Sequence, residues 1–126
     1  MRTIAAIMVA GSVGAVSRYG VDGWVSAHVG GGFPWGTLVV NISASILLGL
    51  VFAVTTQRAG VDPATRLALT TGLIGSYSTF STLVLESARL LERGSVLPAL
   101  LNLGGSLLLG MVGVVLGLAA GRVIAS

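Results

Sequence analysis

The chain has 126 residues, of which 54% are hydrophobic and 9% charged, with a net charge of +3 and no Cys. A water-soluble domain of this size exposes much of its surface and carries about 25% charged residues to cover it, so a soluble globular domain is excluded. Disulfides and thiolate metal sites are excluded with Cys, and nucleic-acid binding lacks the clustered basic face it needs, because the arginines stand singly or in pairs at the edges of apolar runs and there is no Lys.

The charge-free windows cover residues 3–17, 23–57, 67–85 and 94–121. A transmembrane helix needs about 20 apolar residues to cross a core of about 30 Å. The opening stretch has the single Arg and apolar run of a signal peptide, yet three more apolar stretches follow it. It therefore reads as the first span, continuing through Arg18 and Asp22 to about residue 27. Arg18 and Asp22 lie four apart on one helix face and can pair. They form either an interfacial ion pair that anchors the helix end or part of a charged vestibule facing protein and water. Gly11 and Gly14 allow close helix packing on the same span.

His28, the three glycines Gly30 to Gly32 and Pro34 make a flexible connection, with Trp35 suited to the headgroup level. Span two follows over residues 36–57. It carries Asn41, with Thr37 one turn before and Ser45 one turn after. Asp62 then Pro63 is a helix start, Asp as the N-cap and Pro at the first helical position. Span three covers residues 63–93 and Gly94 punctuates it. Span four covers residues 96–121, with Asn102 and Ser106 one turn apart and a stripe of small residues at Ser106, Gly110, Gly113, Gly117 and Gly121. Small residues at that spacing let helix backbones approach.

The whole is an all-α membrane protein of four spans, placed in the cell membrane. Both termini then lie on one side, with Arg2, Arg58, Arg66 and Arg122; Arg18, Arg89 and Arg93 lie on the other. Orientation follows the basic excess, and four against three is almost no instruction. Two copies inserted in opposite senses could pair about an axis in the membrane plane.

The centre of span three, Thr70 to Thr82, holds Gly, Ser or Thr at nine of thirteen positions. Such residues are weak helix formers that compete for backbone hydrogen bonds. Two outcomes are open: a polar face that bonds neighbouring helices, or a broken helix whose freed carbonyls face protein, water or an ion. The lining offers hydroxyls, amides and ring edges, with no Lys or Arg at mid-depth. Uncharged donors of that kind can replace the hydration of an anion and still release it.

Three fragments then fall into a known order: Gly11-x-x-Gly14-Ala15-x-x-Arg18-Tyr19, Gly36-Thr37-Leu38-x-Val40-Asn41, and Gly72-x-x-Gly75-x-x-Ser78-Thr79-Phe80-Ser81-Thr82 with Glu86. Over essentially its full length the chain resembles the Fluc (CrcB) fluoride channels. The resemblance implies an antiparallel, dual-topology homodimer with the third helix broken in mid-membrane and two pores that export fluoride passively. It implies a structural Na⁺ at the dimer interface, held by the backbone carbonyls of Gly75 and Ser78. Carried over by position, Phe80 offers its ring edge to fluoride, and Asn41, Ser81, Thr82, Ser106, Asn102 and Thr37 supply polar groups to the pore. Glu86 and Arg18 shape the vestibules. Leu83 stands where the family usually has a second Phe, Asn102 where many relatives have Tyr, and Gly110 where some have a hydroxyl. Leu83 raises the alternative that a paralogous subunit supplies the missing ring in an obligate heterodimer.

A small dual-topology proton-coupled exporter is the competing reading from another class, but residues 3–17 hold no acid and Glu86 lies late in span three. A non-transporting scaffold would leave the polar centre as packing alone. An enzyme is not expected, since His28 is the only His and has no acid or thiol near it in sequence.

Overall fold

A computed structural model describes residues 1–126, all of them helical apart from short connections. Helix α1 runs Arg2–Val29, α2 Trp35–Gln57 and α6 Val96–Ala125. These three are long and apolar enough to cross a membrane. Between α2 and α6 the chain is segmented: α3 (Pro63–Leu67) leads through a π-helical stretch (Ala68–Ile74) into α4 (Gly75–Tyr77), and α5 (Phe80–Glu92) begins after two extended residues.

Local chemistry sets these boundaries. Asp62 caps α3, its carboxylate accepting from the Thr65 amide at 3.2 Å, with Pro63 at the first helical position. Gly30, Gly31 and Gly32 have φ of 60°, 91° and 75°, values that L side chains resist, and they end α1. Arg66 donates to the Thr55 carbonyl at 2.6 Å, which satisfies one of the orphan acceptors at the end of α2. The fourth apolar stretch continues as helix to Ala125, four residues beyond the expected end at 121, because Arg122 is accommodated within the last turn.

Close packing is organised by glycine. Gly113, Gly117 and Gly121 line the face of α6 that meets α2. A Cβ at Gly117 would collide with the Ile46 carbonyl and lie 2.9 Å from the Leu50 amide nitrogen, and one at Gly121 would lie 2.7 Å from the Ala53 Cβ. From the other side, Gly49 faces Val114 and Leu118 on α6. Helix α1 meets the segmented region the same way, with Gly14 against the Leu73 carbonyl and Gly72 against Ile7 and Ala10. Outside these seams large apolar side chains stay exposed, among them Met8, Val13, Leu108, Met111 and Val115. In a chain without a soluble surface they are contacts for lipid or a second chain.

Gly117→Val therefore forces α2 and α6 apart. Overpacking of this kind costs about 1–3 kcal/mol. The protein is expected to lose several degrees of thermal stability in detergent, whereas Gly104→Ala, where a Cβ meets nothing within 4 Å, is expected to leave the melting curve in place.

Candidate functional site

The site begins with a break in the backbone. Tyr77 ends α4, Ser78 (ψ 158°) and Thr79 (φ −150°, ψ 116°) are extended, and Phe80 starts α5. Gly, Ser and Thr on both sides hold helix weakly, and the π-helical turn before them already departs from the α ladder. Such turns occur frequently at functional sites.

Backbone groups released in a membrane interior must find partners. In a continuous helix the Thr79 amide would donate to the Gly75 carbonyl. Here it donates to Asn41 Oδ1 at 2.8 Å, and Asn41 Nδ2 donates back to the Thr79 carbonyl at 3.0 Å. The Asn41 carboxamide thus imitates a strand neighbour and holds the break open from α2. The Thr82 amide, which would serve the Ser78 carbonyl, donates instead to Thr79 Oγ1 at 3.3 Å, and Thr79 becomes the N-cap of α5. Two carbonyls, those of Gly75 and Ser78, are left without their helical donors. The Ser78 carbonyl accepts from Arg18 Nη1 at 3.4 Å. Arg18 is therefore committed to the break rather than to Asp22, whose carboxylate accepts from the Ser26 hydroxyl at 3.4 Å. Of the two readings open for Arg18 and Asp22, the ion pair gives way to a freed carbonyl that needs a donor, while both residues line one cavity.

Thr79 separates two cavities. One, of about 190 Å³, is lined by Asn41, Ser45, Ser78, Thr79, Phe80, Leu83, Ser106 and Leu107. Phe80 is 71% exposed beside it, whereas Leu83 is 3% exposed. Ser106 is 7% exposed and its hydroxyl has no hydrogen-bond partner. A primary amide carries two N–H donors, so Asn41 retains one after serving Thr79. The second cavity, of about 200 Å³, is lined by Ala15, Arg18, Tyr19, Asp22, Thr37, Val40, Thr79 and Thr82. A mouth of about 340 Å³ lies beyond, where Glu86, Arg89 and Arg93 face the Gly30–Gly32 turn. Glu86 ties the two spaces together: Thr37 Oγ1 donates to Glu86 Oε1 at 2.8 Å, while Oε2 is buried without a partner.

Of the residues expected at a pore, Asn41, Phe80 and Ser106 come together. Thr37 and Thr82 line the second cavity with Arg18, and Glu86 lies at the mouth. Ser81 is exposed and lines neither cavity. Asn102 is fully buried and donates to Ser87 Oγ at 3.0 Å, which in turn donates to the Leu83 carbonyl at 2.8 Å. It braces α5 against α6 and does not reach the cavity beside Phe80. Thr79 was not among the expected residues, though a Thr directly before an apolar helical start, here Phe80, is a readable N-cap signal.

The arrangement provides uncharged donors, a ring and no fixed cation beside Phe80. Residues 5–118 match the family model described as "CrcB-like protein, Camphor Resistance (CrcB)". The chain is 43% identical to a "Fluoride-specific ion channel FluC" of Magnetococcus marinus, covering 96% of this chain and 98% of the relative. It is 40% identical to a relative of that name in Nitratidesulfovibrio vulgaris, covering 98% and 100%, and 43% identical to one in Geobacter sulfurreducens, covering 97% and 98%.

Proposed function

The chain belongs to the CrcB family, and from that premise we propose that it is a fluoride-specific ion channel of the cell membrane, a multi-pass transporter rather than an enzyme. The observation that carries the proposal is the cavity beside Phe80. There a buried hydroxyl without a partner (Ser106), a carboxamide with a spare N–H (Asn41) and an exposed ring converge, with no Lys or Arg in the lining. A small halide entering this space exchanges its water for hydroxyl and amide hydrogens and for the positive edge of the ring. Because no donor carries a full charge, the ion is held loosely enough to leave. Arg89 and Arg93 stand in the mouth, where they raise the local anion concentration away from the cavity beside Phe80.

Flow through such a path is passive and drains fluoride from the cytoplasm down its gradient. Two inverted copies form the working unit, each with its own pore. Support comes from the near-balance of arginines between the two sides and from Phe80, an aromatic ring left 71% exposed at the break. Na⁺ fits the donor set at the break: the Gly75 and Ser78 carbonyls have both lost their helical N–H partners, and carbonyls at the ends of half-helices are common sodium ligands. When bound between two copies, Na⁺ supplies cross-linking of their backbones. In this structure the Ser78 carbonyl accepts from Arg18 Nη1 at 3.4 Å, so Na⁺ there would take the place of that donor.

Fluoride efflux from liposomes that contain only this protein tests the reading, with chloride as control. Rapid fluoride release with chloride retained is expected. Absence of fluoride release from well-folded protein would sink the homodimeric reading. Release only after a paralogous subunit is added would favour the heterodimer that Leu83 raises, since Leu83 lines the cavity with no ring edge.

A further inference from the structure

We propose that Ser45 is a further donor of the anion path, supplied by α2 at the point of its seam with α6 where Gly110 leaves room. The inference rests on the channel reading above and adds a residue to its cavity. Ser45 lines the space beside Phe80 together with Asn41 and Ser106. Across the seam between α2 and α6 stands Gly110, one turn after Ser106. A Cβ built on Gly110 would lie 3.3 Å from Ser45 Oγ. The two positions are therefore neighbours across the seam: a Cβ at residue 110 would press on the Ser45 hydroxyl, and removing that hydroxyl makes room for a side chain there.

Ser45 Oγ donates to the Asn41 carbonyl at 2.8 Å. That bond is the ordinary resting state of a Ser within a helix, and a rotation about χ1 or of the O–H exchanges it for another acceptor. An anion stripped of water is the stronger acceptor, since charge-assisted hydrogen bonds are about twice as strong as neutral ones. Ser106 is the second observation. Its hydroxyl is buried, has no acceptor within the protein and borders the same space. An acceptor in that cavity has both Ser45 and Ser106 in its lining, and Ser106 offers a donor that no protein group uses.

The experiment compares initial fluoride efflux from liposomes for the wild type, Ser45→Ala, Ser45→Thr and the double variant Ser45→Ala/Gly110→Ser. Losing one charge-assisted hydrogen bond to the ion lowers the rate at least about tenfold in Ser45→Ala. Ser45→Thr keeps the hydroxyl and the rate. The double variant regains most of the rate, because a hydroxyl returns next to the vacated position from the opposite helix. A residue that served only its own helix would show no such rescue. Ser45→Ala at the wild-type rate would overturn the assignment while leaving the channel reading standing. So would a loss shared by Ser45→Thr, or one not recovered in the double variant. A wild type that releases no fluoride would remove the channel reading itself and the role of Ser45 with it.

Discussion

Asn41→Asp is expected to abolish fluoride efflux, a fall of at least a hundredfold in a liposome assay. Two effects act in one direction. The Asn41 carboxamide accepts from the Thr79 amide at 2.8 Å and donates to the Thr79 carbonyl at 3.0 Å. Asp keeps the first bond and turns the second into a contact between two acceptors, so the clamp on the break is lost on one side. The new carboxylate also faces the cavity beside Phe80. Two unit charges 4 Å apart repel by about 4 kcal/mol at an effective dielectric near 20, which corresponds to roughly a thousandfold in the probability of finding an anion there. Efflux within tenfold of wild type from a variant that elutes as the same species would remove Asn41 from the ion path.

The rough placing of the three long apolar helices was legible because lipid imposes simple rules. Charges mark the ends of apolar runs, Asp62-Pro63 starts a helix by capping, and glycines at a spacing of four mark a seam. The weakness of Thr70–Thr82 was legible too, through its density of Gly, Ser and Thr, and the break falls within it. What a single strand of letters could not carry is the rotation of one helix against the next. Thr37 and Asn41 are one turn apart on α2, yet one reaches Glu86 and the other Thr79. Asn102 and Ser106 are one turn apart on α6, yet one bonds Ser87 inside the packing and the other borders the cavity. The departure of Arg18 from Asp22 follows the same logic. Its partner, the Ser78 carbonyl, becomes available only once Thr82 turns its amide to Thr79, and no spacing rule anticipates an acceptor created by a broken ladder. The π-helical stretch lay beyond reach for a related reason, since Ala68–Ile74 contains nothing that prefers π over α.

Phe80→Ile carries the second large effect. Isoleucine keeps much of the apolar volume that Phe80 offers at the start of α5, so assembly and folding are expected to persist. The quadrupole disappears. An aromatic edge interaction contributes about 0.5–1.5 kcal/mol in ordinary pairs, and a bare anion is a stronger partner than a second ring. A fall in fluoride efflux of at least tenfold follows from the upper end of that range. Leu83 sharpens the expectation. It lines the same cavity at 3% exposure with a branched alkyl side chain, and Phe80 is the only aromatic in that lining. A site with two rings could lose one and still offer the ion an edge; this lining has none in reserve. Unchanged efflux in Phe80→Ile would mean that the ring is a packing element at the break and that the hydroxyls and the carboxamide alone replace the water of the ion.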